Sequence, residues 1–436
     1  ERYLLAATSV IYALVGLTLW WLGRVTFTTT GFLLPALLAQ SAPCLSRIIP
    51  KFGLHPKPEP FLIMAVALLM AALLPLVRNR GTDSSHDRHA ALAGIAMALG
   101  IACKVHFAVL GVIPLLLLDR RRFLIYVGVG AAALAVFVAP AIPSWDIWTD
   151  WIKRMMLGSG AYGEGAQTII NTQRYPRAVL KLFASKLIFS AVILASLVQL
   201  IAYVRMRRRG LVPQDKFARL LVGLLAAQVL IVLSVAKQPA AHYLIPALLL
   251  SGPAMAALWS LSRPAMSPRN HLRLWLGVAF ILTVAQAPQM WRQNAELKAW
   301  TTEQMAVNLD ARFPGCAKVY FDAASAQSYA FQRGDMNALA RYSPKLAPLF
   351  PADEYTWFTN DHTYWKHGLM QWNHPVALAD LLARHGCAVF RGNQPWTVAD
   401  RARELIPGFS FDDRCETGEE TLFTKGMRCD GTRVAP

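Results

Sequence analysis

Apolar residues in this chain run in long blocks, not in the short alternating stretches of a soluble fold. The strongest blocks are 3–22, 60–77, 123–142, 179–204, 217–236, 243–262 and 272–290. Each approaches or exceeds the length a helix needs to cross ~30 Å of hydrocarbon. Two weaker blocks, 31–44 and 90–118, are shorter or interrupted. Lipid admits only helices and closed barrels, and these blocks are too long and continuous for barrel strands. The pattern predicts a polytopic α-helical membrane protein with about ten membrane helices, some short, over residues 1–290.

The periodicity changes over 291–436. "AELKAWTTEQMAVNLDARF" (295–313) and "PVALADLLARHG" (375–386) read as helices, "AKVYFDA" (317–323) and "CAVFRG" (387–392) as strands. "FDDRCETGEETLFTK" (411–425) reads as a closing hairpin with a Gly turn. Helix, Gly-Cys and strand occur twice, which fits a small α/β domain on a mostly parallel sheet. The glycine pattern of a nucleotide-phosphate cradle is missing from "YFDAAS".

Composition sharpens this division. The 436 residues are 55% hydrophobic and 16% charged, too apolar for an ordinary soluble domain. The net charge of +18 belongs to residues 1–290, because 291–436 is close to neutral. The basic excess is therefore not read as nucleic-acid binding; cytoplasmic loops rich in Lys and Arg explain much of it. The basic runs are Arg78 and Arg80, "DRRR" (119–122), "RMRRR" (205–209) with Lys216 and Arg219, and Arg263, Arg269 and Arg273. Placing all of them inside requires 90–118 to be an in–out–in hairpin and 31–44 to rise outward. It gives a multi-pass protein of the cell inner (cytoplasmic) membrane with an extracytoplasmic (periplasmic) C-terminal domain. The first helix then starts on the outer face directly after Glu1 and Arg2, so an earlier helix and outer loop are expected to precede it.

The outward segments carry the candidate chemistry. "CLSRIIPKFGLHPKPEP" (44–60) holds His55, Lys57 and Glu59 between stiffening prolines. Lys104 and His106 stand at the tip of the 90–118 hairpin, between apolar stretches too short to span. In the loop 144–177, Trp145, Trp148, Trp151, Ile152 and Met155 form the aromatic face of an interfacial helix, and "GSGAYGEG" follows with Tyr162 and Glu164. Arg174 and Tyr175 lead into the next crossing, and "KQPAAHYLIP" places Lys237, His242 and Tyr243 ahead of Pro246. Structural roles compete at each position. Lys104 could snorkel to the interface, Glu59 could complement the dipole of a helix starting at Pro60, and the tryptophans could be anchors alone. Yet the outer side still carries an excess of cations against the topological bias, and an anionic phosphate or pyrophosphate headgroup is the most economical reason. His55 and Glu59 are the candidate ligands for a divalent cation.

Of six cysteines, Cys44 and Cys103 lie in or near membrane segments. Cys415 and Cys429, closing a short loop, form the candidate disulfide, whereas Cys316 and Cys387 begin similar strands and read as buried thiols.

"KPEPFLIMAVALLMAALL", "LAGIAMALGIACKVHFAVLGVIPLLLL" and "AKQPAAHYLIPALLLSGPAMAAL", in that order, resemble the GT-C-fold glycosyltransferases. That resemblance covers 1–290. It implies a membrane enzyme that moves a sugar from a polyprenyl-phosphate donor to an extracytoplasmic glycan, lipid or protein acceptor. It implies that Lys57, Lys104, His106, Arg174, Tyr175, Lys237, His242 and Tyr243 hold the lipid phosphate, that Tyr162 and Glu164 lie in a gating loop, and that Glu59 assists a catalytic acid. The family's main acid, carried in an outer loop after a first helix, is expected ahead of a helix like 3–22, where only Glu1 stands. Two alternatives follow: a non-catalytic accessory subunit of a membrane complex, or a transporter or ligase of lipid-linked intermediates.

Overall fold

The computed structural model describes residues 2–46, 48–49, 58–77, 83–145, 149, 152–153, 156–158, 170–210, 216–237, 241–306, 313–321, 356–359, 369–371, 374–376, 384, 387–391, 415–417 and 420–424. They belong to two compact units, Thr8–Gln293 and Asn294–Pro436 with Glu1–Ala7.

The helices in chain order are α1 (Arg2–Thr30), α2 (Leu33–Gln40), α3 (Glu59–Val77), α4 (Asp83–Cys103), α5 (Val112–Leu117) and α6 (Arg120–Val138). They continue with α7 (Tyr175–Ala184), α8 (Leu187–Arg208), α9 (Lys216–Ala236), α10 (Ile245–Leu249), α11 (Ser251–Ser262) and α12 (Pro268–Ala306). Among the described residues, 7 helical stretches are long and apolar enough to cross a membrane. The chain is a mostly helical, multi-pass membrane protein.

Two of those stretches form the centre of the first unit. Of their most apolar windows, 78% is buried in α3 and 94% in the stretch His242–Ala265 that contains α10 and α11, against 6% in α6. A helix apolar on every side is stable only where every side is covered, by protein or by lipid. α3 and α11 are covered by protein; α6 and the first part of α12 leave most of their surface to the bilayer. Small residues let the packing close. A Cβ on Gly94 of α4 would lie 2.5 Å from the Tyr126 carbonyl oxygen and 2.9 Å from the Gly130 nitrogen, both on α6. A Cβ on Gly252 of α11 would lie 2.7 Å from the Cβ of Ala42. Without a hydrophobic difference between lipid and side chain, such close backbone approach supplies the van der Waals contact that holds helices together.

Several expected segments differ in detail. The block 31–44, expected to rise outward as one piece, is α2 of 8 residues followed by a 3-10 turn, Ala42–Leu45, packed against α11. At 1.5 Å per residue, α2 is about 12 Å long, well short of a span. The 90–118 hairpin has unequal arms. α4 reaches back to Asp83 through "DSSHDRHA", with Asp83 in its first turn, where a negative charge is favoured. The return is a 3-10 segment, Val105–Gly111, leading into the 6 residues of α5. Those 13 residues cover roughly 23 Å, so the return arm is shorter than the hydrocarbon core. The helix expected to end at 290 instead runs unbroken from Pro268 to Ala306 through Pro288.

In the second unit the described strands are β1 (Ala317–Phe321), β2 (Thr356–Thr359), β3 (Leu369–Gln371), β4 (His374–Val376), β5 (Cys387–Arg391), β6 (Cys415–Thr417) and β7 (Glu420–Thr424). Five of them make one sheet in the order β2-β1-β5-β7-β6. β1 pairs parallel with β2 and β5, while β7 pairs antiparallel with β5 and β6, so the sheet is mixed. β4 occupies the start of the segment expected to be the helix 375–386, and most of the rest of that segment lies outside the described residues. Cys316, expected to be a buried thiol, is buried and disulfide-bonded.

Candidate functional site

One end of the helical bundle gathers a buried polar cluster, and its geometry begins with a helix start. Pro58 accepts the Leu62 N–H at 3.1 Å, closing the first turn of α3. Proline is favoured there because the first N–H groups of a helix have no intrahelical partner. Glu59, in that turn, is 2% exposed. A carboxylate so deeply buried needs a partner, and Lys104 supplies it: its Nζ donates to Glu59 Oε1 at 2.7 Å.

Lys104 reaches Glu59 because the hairpin turns sharply at its tip. Its backbone is extended (φ −155°, ψ 121°), its N–H donates to the Gly100 carbonyl at 2.9 Å, and its own carbonyl accepts from Phe107 at 2.9 Å. Gly100 allows this turn, because any Cβ there would strike the buried Phe107 ring. Lys104 also sits over the Tyr243 ring, 4.6 Å from its centroid. The ring face attracts the ammonium, an effect of about 1–2 kcal/mol where water is excluded.

Tyr243 is the centre of the cluster. His106 Nε2 lies 3.1 Å from the Tyr243 carbonyl oxygen, and the two rings meet edge to face with centroids 5.7 Å apart. A carbonyl only accepts, so Nε2 carries the hydrogen and His106 donates. The His242 ring lies 4.3 Å from the Tyr243 ring. Both residues belong to a 3-10 turn, Ala241–Leu244, ahead of Pro246, which removes the N–H that would have bonded the His242 carbonyl. Glu59, Lys104, His106, His242 and Tyr243 thus converge from three segments.

The charge of Lys104 is already matched by Glu59. The unmatched feature is the other carboxylate oxygen: Glu59 Oε2 is buried and has no hydrogen-bond partner among the described residues. An acceptor left so costs about 1–3 kcal/mol, and a ligand donor would recover that cost.

Arg174 precedes α7 and Tyr175 opens it, and Tyr175 meets α9. Asn171 Oδ1 accepts from the N–H groups of Gln173 and Arg174, both at 3.1 Å, and shapes the turn ahead of α7. The Tyr175 hydroxyl donates to the Leu233 carbonyl at 2.8 Å. Lys237 lies one helical turn beyond Leu233. It donates to the Met156 carbonyl, and burial lowers its pKa. His55, Lys57, Tyr162, Glu164 and Cys429 lie outside the described residues, as does most of the tryptophan-rich segment 145–155; Cys415 opens β6.

Inspection of the sequence overlooked Gln228. It is fully buried within α9, and its Nε2 donates to the Ala247 carbonyl at 3.2 Å and contacts Ser251 Oγ at 3.4 Å. Ala247 lies one turn beyond Tyr243, in the middle of α10, and Ser251 opens α11. A lone amide inside "LLAAQVLIVL" was the available signal, because polar groups at membrane depth require partners.

Of the two residues expected to hold a divalent cation, Glu59 belongs to this cluster and His55 lies outside the described residues. Among the described residues no group of three His, Cys, Asp or Glu side chains is placed to hold a metal. Glu59 offers one carboxylate, with an ammonium already at 2.7 Å.

The opposite end has a different character. Arg122 of α6 meets Asp119 at 2.6 Å, Asp83 at 2.7 Å and Asp87 at 3.5 Å, and Arg121 meets Asp87 at 2.6 Å. Asp119 also caps α6 by accepting the Arg122 N–H at 2.9 Å. Lys216 at the start of α9 donates to the Leu76 carbonyl at 3.4 Å, and Arg263 lies 4.6 Å over the Phe32 ring. No protein-family model, no curated protein and no solved structure matches the chain.

Proposed function

We propose that the chain is a membrane glycosyltransferase, taking a sugar from a polyprenyl-phosphate-linked donor and passing it to an extracytoplasmic acceptor. The observation that carries this reading is the buried Glu59–Lys104 pair beside Tyr243, His106 and His242, with one Glu59 oxygen left open. Intramembrane ionisable groups are costly and mark functional sites by default.

The chemistry follows from the groups present. The open Glu59 oxygen accepts a hydrogen bond from a sugar or acceptor hydroxyl, orients it and raises its nucleophilicity. Lys104, held at Glu59 and over Tyr243, matches the charge of that carboxylate. Because its charge is spoken for, the phosphate leaving group falls to other donors: Lys237, Arg174, the His242 imidazole and Lys57. Their cationic or N–H groups neutralise charge that grows as the sugar–phosphate bond breaks. The catalytic base itself is left unassigned.

The test uses the purified full chain in liposomes with radiolabelled polyprenyl-phosphate mannose, glucose or arabinose and an extract of envelope glycans as acceptor. The reading expects label to move from one donor to acceptor, and Glu59→Gln to slow transfer by about a hundredfold, as loss of a preorganised polar group does. Tight retention of donor without transfer would favour the accessory role. No retention of any donor would overturn the proposal.

A further inference from the structure

We infer that Cys316 and Cys387 are joined in a disulfide, and that this bond assigns the second unit to an oxidising compartment. Cys316 is completely buried and disulfide-bonded. Cys44 and Cys103 are free thiols, which leaves Cys387, Cys415 and Cys429 of the six cysteines.

Sheet order decides among them. β1 and β5 are neighbours, and their parallel register pairs Ala317 with Ala388. The residues immediately before that pair are Cys316 and Cys387. Adjacent strands lie about 4.8 Å apart, inside the ~7 Å that a disulfide tolerates between Cα atoms. Cys415 opens β6, which the order β2-β1-β5-β7-β6 sets three places from β1, or about 14 Å away. Cys429 lies past the end of β7, itself two places from β1. The register favours Cys387.

The bond forms when both thiols lose their hydrogens and the two sulfurs join. The two electrons and two protons pass to the disulfide of an exported thiol–disulfide oxidoreductase, which becomes a dithiol. Such bonds persist in secreted and periplasmic compartments and are rare in the cytosol.

The experiment is peptide mapping of the full chain, extracted from membranes with thiols blocked at lysis and digested without reductant. The expected result is a crosslinked peptide containing Cys316 and Cys387, and its loss in cells lacking the exported oxidoreductase. Cys316→Ser should turn Cys387 from fully protected to fully alkylatable and leave Cys429 unchanged. A Cys316–Cys429 crosslink would overturn the pairing. Free Cys316 and Cys387 in oxidase-competent cells would overturn both the pairing and the compartment.

Discussion

The two polar ends of the helical bundle use the same residue types to different ends. At one, Glu59 and Lys104 are 2% and 13% exposed and form a single pair over a tyrosine ring. At the other, Asp83, Asp119 and Arg121 are 83%, 52% and 72% exposed and share charge in a network with the partly covered Arg122 and Asp87, 21% and 19% exposed. An exposed network keeps its ions hydrated, so each contact is weak and replaceable. A buried pair has lost its water, so removing either partner strands the other. The exposed network ties helix ends together; in the proposed function the buried pair holds charge where a ligand can meet it.

The largest effect should come from breaking the buried pair. Lys104→Met leaves Glu59 uncompensated and should destabilise the bundle by about 3–5 kcal/mol, read as a fall in Tm in detergent. The double variant Lys104→Met/Glu59→Gln should recover most of that loss. If the single variant unfolds at the wild-type temperature, the pair is not desolvated and the contrast fails.

Next is the crossing that runs between the ends. Gly94→Ala drives a methyl against the Tyr126 carbonyl and the Gly130 backbone, and neither can move without shifting α6. The expected cost is about 1–3 kcal/mol, again by thermal unfolding. Gly128, which has no atom within 4 Å of its Cβ position, is the control: Gly128→Ala should leave stability level or raise it.

Smaller still is Gln228→Leu. It removes the donors to Ala247 and Ser251 and also an unpartnered buried oxygen, so the two changes partly cancel. The expected loss is under ~1 kcal/mol. The smallest effect belongs to the exposed end: Arg122→Ala should cost about 0.2–1 kcal/mol at low ionic strength and nothing measurable at 1 M salt. A loss above ~3 kcal/mol there would erase the distinction between the two ends.

Which parts of this arrangement are legible from residues alone follows from the range of the forces involved. Hydropathy is local, so α3, α9 and α11 sit where their apolar runs predict. The charged residues Arg292, Glu296 and Lys298 looked like a boundary, but backbone hydrogen bonding is indifferent to polarity and α12 continues through them. The 3-10 return of the hairpin left no periodic signal, because its side chains follow neither the 3.6 nor the 2.0 period. The candidate residues Glu59, Lys104, His106, His242 and Tyr243 were visible singly as polar groups in apolar surroundings. Their shared outward side led Lys104 and His106 to be expected opposite His242 and Tyr243, as found, but the pairing of Lys104 with Glu59 was not legible. Glu59 and Lys104 are 45 positions apart and His106 and Tyr243 are 137 apart, separations that only the folded bundle brings within hydrogen-bond distance. Pairing also changed a role: Lys104, expected as a phosphate-binding cation, has its charge matched by a carboxylate.

The most direct test of the central claim, that the buried cluster is the working site and the exposed network is scaffold, is the transfer rate of the folded double variant Lys104→Met/Glu59→Gln beside Arg122→Ala. Sugar transfer from a polyprenyl-phosphate donor in liposomes should fall by about a hundredfold or more in the double variant and stay near wild type in Arg122→Ala. A double variant that unfolds like the wild type and transfers sugar at the wild-type rate would contradict the account.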